Sequence, residues 1–441
     1  MRLLHTSDLH LGRALYGARR DGAFEKLLAW LVALIRERSV DCLVVAGDVF
    51  DNATPSHAAQ ALYYKFLCAV RFQTPCRHIV VVGGNHDSPS FLNAPQAILS
   101  AIGVTVVGEA LAPEEEVVLL RDSEGRPEAV VAAVPFLREG DIRKSIARET
   151  DEDKDAQVVA GTRRHYEAAA AAAVSCRNAA GAPDIPLIAT GHLFAAHCSC
   201  GTQERDLYIG SLGQIPAEVF PPEIDYLALG HLHRAQCLGG NSARRYAGSP
   251  LALDFGESQK KSVVLVDIEK AGCTPVIETI EVPAFDRLEQ VDGTLEEILS
   301  RLRALVSEDE PMFCEVIHDQ GAYAPRLAEA CREATAGSRV ELVRIMSRAV
   351  AQNRVATSDR ISDVHTITPE AMFALKLSRT EGLADNQKAK LAAAYREVLF
   401  DLENENPGQS PEAGSPPAQK LDEQSGAGQM QTAAASAPSD N

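Results

Sequence analysis

The first 135 residues alternate short apolar runs with longer segments whose apolar side chains recur every three or four positions. Continuous apolar runs predict buried strands, and the helical spacing predicts amphipathic helices. The predicted strands are 3–5, 42–46 and 79–82, and the predicted helices are 24–38 and 58–70, the second capped by Thr54-Pro55-Ser56. This alternation indicates an α/β fold with layered, buried strands.

Further strands follow, and the pattern changes near residue 275. Strands are predicted at 104–107, 117–120, 129–134, 186–190, 226–229 and 262–268. The charged, alanine-rich stretch 139–182 predicts a loop and then a long exposed helix. From 275 to 350 the order is strand, helix, strand, helix, strand, preceded by the turn signal Ala271-Gly272. This order predicts a small, separate α/β domain.

The C-terminal part of the chain predicts two helices and a tail. Thr368 can cap the first helix, with Pro369 at its first position. Residues 406–441 are rich in Pro, Ser, Gly, Gln and Ala and have few large apolar side chains, which is typical of a disordered segment. The predicted divisions are therefore 1–270, 275–350, 366–403 and an acidic low-complexity tail at 406–441.

The charge of the chain is acidic and uneven. The sequence has 61 acidic and 43 basic residues and a formal net charge of −18, which excludes a basic coat over the whole protein. Its hydrophobic fraction of 46% excludes a wholly disordered chain. Within the first hundred residues, which are slightly basic, Arg13, Arg19 and Arg20 are either a local phosphate-binding cluster or a solvated loop.

The cysteines indicate a reducing compartment. The ten cysteines are scattered, and their spacing does not resemble a disulfide framework. The N-terminal residues do not resemble a signal peptide, and no apolar stretch approaches the roughly 20 residues of a membrane helix. We therefore expect a cytoplasmic protein.

Five polar segments follow predicted strands, where α/β sheets place their ligands. They are Asp8-Leu9-His10, Gly47-Asp48-Val49-Phe50-Asp51, Gly84-Asn85-His86-Asp87, Gly191-His192 and Gly230-His231-Leu232-His233. Each glycine allows a tight turn that aims the next side chain into a pocket. The alternating Asp-x-His and His-x-His spacings place two side chains on the same side of an extended strand end.

Seven of these side chains are of the types that bind metal ions. They are Asp8, His10, Asp48, Asn85, His192, His231 and His233. If one carboxylate is shared, seven ligands provide four for each of two metal ions. Two ions about 3.5–4 Å apart can activate water and hold a phosphodiester for in-line displacement. Any one segment alone has ordinary structural explanations, such as a turn or a core histidine pair; their order and their positions together predict the metal site.

The five segments, in this order, resemble the signature of the calcineurin-like metallophosphoesterases. Longer matches resemble the SbcD family, the nuclease subunits of bacterial SbcCD complexes; they lie at 5–12, 47–51, 84–88, 205–210, 228–235 and 246–250. The resemblance covers 1–268 specifically and extends more loosely to about 402. It implies a four-layer αββα sandwich with a smaller C-terminal α/β capping domain and two helices; the tail after 406, predicted from composition, has no counterpart in the family.

The resemblance also implies roles for the site residues. One metal ion, usually manganese, would be bound by Asp8, His10, Asp48 and His233, and the other by Asp48, Asn85, His192 and His231. Hydroxide would attack the phosphodiester while His86 acts as the proton donor and Asp51 orients His86.

The same resemblance implies substrates and partners. The expected substrates are double-stranded DNA ends and hairpins, cut exonucleolytically and endonucleolytically in DNA repair, replication and recombination. The expected partner is the ATPase subunit SbcC, bound by the helices at 366–403 in a heterotetramer, with the helix containing Tyr63 and Phe66 near a homodimer contact. A small-molecule phosphodiesterase or phosphatase, and a metal-free scaffold on the same fold, stay open as alternatives. The scaffold would be expected to have lost ligands.

Overall fold

The computed structural model describes residues 1–143, 150–195, 198, 215–319, 325–348, 391 and 395. The chain divides into two compact units, 1–364 and 365–441. Apart from Leu391 and Tyr395, the predicted helices at 366–403 lie outside the described residues, as do the predicted tail and the matched segment 205–210. The fold described below therefore belongs to the first unit.

The described residues form a series of strands and helices close to the predicted one. The strands are β1 (Arg2–Thr6), β2 (Ala14–Leu15), β3 (Ala18–Arg19), β4 (Cys42–Ala46), β5 (His78–Val82), β6 (Val104–Val107), β7 (Val117–Arg121), β8 (Pro127–Ala132), β9 (Leu187–His192), β10 (Tyr226–Gly230), β11 (Gln236–Leu238), β12 (Asn241–Tyr246), β13 (Lys261–Asp267), β14 (Val276–Val282), β15 (Leu288–Gly293), β16 (Met312–His318) and β17 (Val340–Ser347). The helices are α1 (Asp21–Glu37), α2 (His57–Gln73), α3 (Pro89–Asn93), α4 (Gln96–Ala101), α5 (Glu139–Ile142), α6 (Asp151–Ala179), α7 (Leu295–Ser307) and α8 (Pro325–Thr335), with a short 3₁₀ helix at Ala217–Val219. Within the described ranges, no helix is long and apolar enough to cross a membrane.

Two six-stranded sheets form the centre of the fold. The first has the order β14-β13-β1-β4-β5-β6, and the second has the order β11-β12-β10-β9-β8-β7. Strands β1, β4, β5 and β6 are parallel, as are β8, β9, β10 and β12. Parallel neighbours bring the carboxyl ends of their strands to one edge, where a ligand site is expected.

The apolar runs are continuous because both faces of the first sheet are covered. Along β4, Val44 faces the second sheet and packs in one core with Ile188 of β9. Its neighbours Leu43 and Val45 face the helices and pack with α1 and α2. Helix α6 covers the outer face of the second sheet. The layers are therefore helix, sheet, sheet and helix, as expected.

Helix α6 is less exposed than its composition predicts. Tyr166, Ala169 and Ala173 are buried against the second sheet. The hydroxyl of Tyr166 donates a hydrogen bond to the carbonyl oxygen of Thr190, at 2.9 Å. The predicted long helix is therefore present, but the expectation that it is exposed is wrong for one face, because small alanine side chains let that face approach the sheet closely.

A third sheet is smaller and has the parallel order β15-β16-β17. Helices α7 and α8 cover one face of it. The other face places Leu288 and Phe313 in an apolar cluster with Leu15 and Ala252 from the first part of the chain. We call residues 288–347 the second domain.

The second domain begins later than the sequence suggests. The sequence predicts residues 275–282 as its first strand, but residues 276–282 form β14 and pair with β13 along its whole length. The first sheet therefore continues to Val282, beyond the predicted boundary between residues 270 and 275. Strand β14 is an edge strand with mostly exposed side chains, so its composition does not reveal which sheet it joins.

Candidate metal centre

The candidate ligands meet where the parallel strands of the two central sheets end. Asp8 and His10 follow β1, Asp48 follows β4, and Asn85 follows β5. From the second sheet, His192 ends β9, while His231 and His233 follow β10. Asp8, His10 and His233 offer ligand atoms within 4.8 Å of one another, and so do Asp8, Asp48 and His192. The structure thus brings all seven predicted ligands to one place.

Glycines before the ligands allow the loops to approach closely. A Cβ on Gly47 would lie 2.1 Å from Nδ1 of His192, and one on Gly84 would lie 2.1 Å from Oδ1 of Asp48. A Cβ on Gly230 would lie 1.9 Å from the carbonyl oxygen of Ala46. Gly47 also has a φ of +87°, which favours glycine. These positions therefore require glycine mainly because neighbouring atoms leave no room for a Cβ, and less because of the turn geometry.

Four of the candidate ligands have left-handed backbone conformations. The φ angles are +52° at Asp8, +43° at His10, +49° at Asp48 and +97° at His231. Such angles cost free energy in residues with a Cβ and cluster at functional sites. The backbone here is held in a conformation that local sequence preferences would not select.

Asp48 lies between the two predicted ligand sets. Its Oδ2 is 3.4 Å from Nε2 of His10 and 3.3 Å from Nε2 of His192. Its Oδ1 accepts a hydrogen bond from the backbone N–H of His86 at 3.0 Å. One carboxylate oxygen therefore faces a histidine from each set, which is the position that a shared ligand requires.

The second set converges on the amide oxygen of Asn85. This Oδ1 lies 3.0 Å from Nε2 of His192 and 3.0 Å from Nδ1 of His231. The opposite ring nitrogen of His192, Nδ1, lies 2.9 Å from the carbonyl oxygen of Ala46, to which it donates. Because that bond places a proton on Nδ1, the lone pair of the neutral ring lies on Nε2 and faces the oxygens of Asp48 and Asn85.

A cation fits this arrangement of acceptors. Lone pairs that face one another inside a protein repel unless a positive charge lies between them. Both ring nitrogens of His10 are also buried and make no hydrogen bond within the described residues. Carboxylate, amide and imidazole donors together suit a divalent metal ion. The residues present therefore fit the divalent metal ions expected from the sequence.

The pKa values show where the protein's own groups hold charge at the site. Burial acts to lower the pKa of His192, but the adjacent Asp48 carboxylate outweighs it and raises that pKa to about 9. Burial acts to raise the pKa of Asp48, but the positive charge of His192 holds it well below its usual range. Burial lowers the pKa of His10 and, together with repulsion from His192, that of His231. A buried proton on His192 thus occupies a place that a metal ion can take.

His86 lies beside the cluster, but Asp51 orients it differently from the expected way. Nδ1 of His86 lies 2.9 Å from the backbone carbonyl oxygen of Asp51. The carboxylate of Asp51 instead accepts a hydrogen bond from Arg13 at 2.9 Å and lies 3.5 Å from Nδ1 of His10. The expected side-chain contact between Asp51 and His86 is therefore replaced by a main-chain contact.

The three candidate phosphate-binding arginines have different environments. Arg20 is buried, and its guanidinium donates two hydrogen bonds to Asp286, at 2.6 and 3.0 Å. This bidentate pair joins α1 to the segment before the second domain, so Arg20 is not available for a phosphate and that expectation is wrong. Arg13 lies next to the cluster through Asp51. Arg19 is exposed and pairs with Asp21.

Two carboxylates at the site were not singled out by the sequence. Asp87 accepts backbone hydrogen bonds from Val49, Phe50 and Gly84 at 3.1, 3.0 and 2.9 Å, and so joins the loops after β4 and β5. Burial, together with the negative charge of Asp48, raises the pKa of Asp87 to about 6.

The second is Glu257, whose Oε1 lies 2.9 Å from Nδ1 of His233. Burial acts to raise its pKa, but the His233 hydrogen bond and the Lys261 charge lower it to about 2. Asp87 could have been suspected because it follows His86 directly. Glu257 follows no strand end that carries a ligand.

The comparisons with known proteins agree with the fold. Residues 1–235 match the family model described as calcineurin-like phosphoesterase. Residues 284–381 match the model described as type 5 capsule protein repressor C-terminal domain.

Curated relatives match most of the chain. The D subunit of nuclease SbcCD from Escherichia coli (strain K12) is 34% identical over 409 residues, which cover 92% of this chain and 100% of the relative. The Rhodobacter capsulatus protein of the same name is 34% identical over 324 residues, covering 70% and 77%, and the Bacillus subtilis (strain 168) protein is 32% identical over 269 residues, covering 60% and 66%.

The layered sheets, the histidine and carboxylate cluster and the matched model define the chain as a calcineurin-like phosphoesterase. Such proteins use divalent metal ions to hydrolyse phosphate esters. Within that class the chain belongs to the SbcD family, the D subunits of nuclease SbcCD. It is accordingly a metal-dependent phosphodiester hydrolase of the nuclease type.

Proposed function

We propose that the chain is the nuclease subunit of an SbcCD complex and cuts double-stranded DNA at ends and hairpins. It would act both as an exonuclease and as an endonuclease, in repair, replication and recombination. The observation that carries the proposal is the position of Asp48 Oδ2, between His10 of one ligand set and His192 of the other. The E. coli relative, similar over its whole length, is named a nuclease subunit of SbcCD.

We assign one metal ion to Asp8, His10, Asp48 and His233, and the other to Asp48, Asn85, His192 and His231. Manganese is the metal that the family resemblance implies, although asparagine and histidine ligands are also compatible with iron, zinc or nickel. When bound, such ions lower the pKa of a water molecule and neutralise charge on the phosphodiester.

The chain's own residues would then complete the reaction. His86 donates its Nδ1 proton to the carbonyl oxygen of Asp51, which fixes the ring beside His10 and leaves Nε2 for the substrate. From that nitrogen a protonated His86 would give a proton to the leaving sugar oxygen. Arg13, whose partner Asp51 lies next to His10, would contact an adjacent phosphate.

The second domain supports a DNA substrate over a small one. Arg344 of β17 lies over the ring of Tyr16, with its guanidinium carbon 3.7 Å from the ring centroid. Tyr16 belongs to the β2–β3 hairpin, which follows the ligands Asp8 and His10 closely in the chain. A domain docked this near the site can guide a duplex towards the metal ions, whereas a small phosphodiester has no need of one.

The partner is expected to be the ATPase subunit SbcC, in an assembly of two chains of each kind. The chain has a net charge of −18, so we expect weak binding of DNA by the isolated protein and strong dependence on salt and on the partner. A DNA substrate also favours the cytoplasm, where cysteines stay reduced; the nine cysteines within the described residues are free thiols.

The test is cleavage of a labelled hairpin-ended duplex with Mn²⁺, by the purified chain alone and with SbcC and ATP. Hydrolysis of bis-p-nitrophenyl phosphate is measured in parallel. We expect hairpin cutting that rises when SbcC and ATP are added. Turnover of the small diester with no DNA cutting in either condition would instead assign the site to small-molecule hydrolysis.

A homodimer is expected to form through α1 and α2. Tyr63, Phe66 and Leu67 of α2 are buried in the chain's own core. Between the two helices, however, lies a groove of about 540 Å³ whose apolar lining from both helices is mixed with Glu25, Arg36 and Lys65, and Phe72 is 68% exposed there. A large exposed aromatic side chain in a partly apolar groove is typical of an interface.

Replacing Phe72 with glutamate is expected to convert the dimer to a monomer, because a charge would be buried without a partner. Ile98 on α4 is 73% exposed and lies outside the groove, so Ile98→Glu is the matched control. Light scattering after size exclusion measures both masses. An unchanged dimer in Phe72→Glu would place the interface elsewhere.

A further inference from the structure

Glu257 is a largely buried carboxylate that connects a candidate metal ligand to the structure around it. Its Oε1 lies 2.9 Å from Nδ1 of His233. Its Oε2 accepts hydrogen bonds from Nζ of Lys261 at 2.6 Å and from the backbone N–H of Leu253 at 3.2 Å. One carboxylate oxygen therefore contacts His233, and the other contacts Lys261 and the backbone of Leu253, which are close to Glu257 in the chain.

Lys261 fixes the charge and the position of this carboxylate. Besides Glu257, its Nζ donates to Oγ of Ser249 at 2.8 Å and to the carbonyl oxygen of His233 at 3.2 Å. An ammonium group has three protons, so these three acceptors use all of them. The ion pair is therefore compensated although it is buried, and it holds the segments around residues 233, 249 and 257 together.

The segment that carries Glu257 is also fixed from the other side. The hydroxyl of Tyr16 lies 2.9 and 3.0 Å from the two carboxylate oxygens of Asp254. The rings of Tyr16 and Phe255 are stacked at 6.2 Å, and Arg344 of the second domain covers Tyr16. A carboxylate on a segment held in this way has little freedom to turn from His233.

A carboxylate at Nδ1 has a definite consequence for His233. An ionised carboxylate only accepts hydrogen bonds, so the proton of the neutral imidazole must lie on Nδ1. The lone pair is then on Nε2, and the ring, whose centroid is 5.1 Å from that of His10, presents it in a fixed orientation. Carboxylates that bond the far nitrogen of a histidine ligand in this way raise its basicity and fix its tautomer.

We propose that Glu257 is a positioning residue for the metal ligand His233, held in place by its pair with Lys261. This inference rests on the proposed function, because it takes His233 as a ligand of one of the two metal ions. Glu257 itself touches neither substrate nor metal in this assignment.

The test is Mn²⁺ binding to the full-length protein. It is measured by isothermal titration calorimetry with the metal alone. The glutamine of Glu257→Gln has only one acceptor oxygen, and the charged Lys261 competes for it with His233. When that oxygen accepts from Lys261, the amide N–H faces Nδ1 of His233 and favours the tautomer whose proton is on Nε2. We expect about 10–100-fold weaker binding at one site and unchanged binding at the other. The control is Glu278→Gln, which removes an exposed carboxylate of β14 that pairs with Arg38. It should leave both metal sites unchanged.

A double-mutant cycle shows whether Glu257 acts through His233. Once His233→Ala has removed the ligand, adding Glu257→Gln should change the affinity of the remaining site less than about twofold. A further 10-fold loss in that background would mean that Glu257 acts through the fold, and would overturn the proposal. If Glu257→Gln fails to unfold cooperatively without metal, Glu257→Asp, which keeps both acceptors, replaces it and is expected to weaken the same site less.

The outcomes separate this proposal from the function on which it rests. If the wild type cuts DNA and Glu257→Gln binds Mn²⁺ at both sites as tightly as the wild type does, only the role of Glu257 would be overturned. Loss of one Mn²⁺ site in Glu257→Gln, in a protein whose wild type cuts no DNA with or without SbcC, would overturn the nuclease function and support the role of Glu257.

Discussion

Replacing Asp48 with asparagine is expected to lower Mn²⁺-dependent cleavage at least about 10³-fold, which corresponds to about 4 kcal/mol of lost transition-state stabilisation. One carboxylate oxygen of Asp48 faces both His10 and His192. Asparagine keeps the size of the side chain but removes the negative charge that can hold two cations, and its N–H₂ cannot bind a metal ion. Both metal ions should therefore bind weakly.

Binding and unfolding measurements check this prediction without DNA. A ligand that binds only the folded state raises its melting temperature. Mn²⁺ should therefore raise the melting temperature of the wild type and of Asp267→Asn, a control at the partly exposed pair with Arg2, but not that of Asp48→Asn. Two tightly bound manganese ions in Asp48→Asn would show that the metal sites lie elsewhere.

Replacing His86 with alanine is expected to lower cleavage about 10²–10⁴-fold while both metal ions stay bound. The contact between residue 86 and Asp48 is made by the backbone N–H, which alanine keeps. What is lost is the imidazole, and with it the proton for the leaving oxygen. The defect should therefore appear in kcat and leave the manganese stoichiometry at its wild-type value.

The leaving group distinguishes a proton donor from a structural residue. A diester with a p-nitrophenolate leaving group needs little protonation, so its hydrolysis by His86→Ala should fall much less than DNA cleavage. His57→Ala, at an exposed histidine on α2, is the control for loss of an imidazole. Equal losses on both substrates, or wild-type DNA cleavage, would remove His86 from this role.

The central strands and the ligand set were predictable because their signals are local. A strand buried on both faces must be apolar at every position, as β4 is, and the predicted bounds of β4 and β6 are those of the structure. Polar residues that closely follow such strands, such as Asp48 and Asn85, lie at the carboxyl ends of the parallel strands, where ligands bind. The edge strand β14 and the hairpin β2–β3 carry no such signal, and the sequence misplaced the first and missed the second.

The partners of the charged residues were not predictable in the same way. Arg20 pairs with Asp286, which is 266 residues away, and Glu257 contacts His233, which is 24 residues away, from a segment that has no strand-end pattern. Asp51 was correctly placed near His86, but its main chain makes the contact and its side chain turns to Arg13. A sequence motif shows which residues come together and does not show which atoms meet.

The sequence by itself thus determined the layered α/β fold, the positions of its central strands along the chain and the side chains that meet at their ends. These follow from continuous apolar runs in strands that are buried on both faces and from the few residue types that bind metal ions, which are properties of short segments. Only the tertiary structure decided that Asp48 lies between two histidines, that Arg20 is buried in an ion pair and that Glu257 supports His233. The physical reason is that hydrogen bonds and ion pairs tolerate only a few tenths of an ångström of change in the distance between two atoms, and only the packing of the layers sets that distance for atoms far apart in the chain.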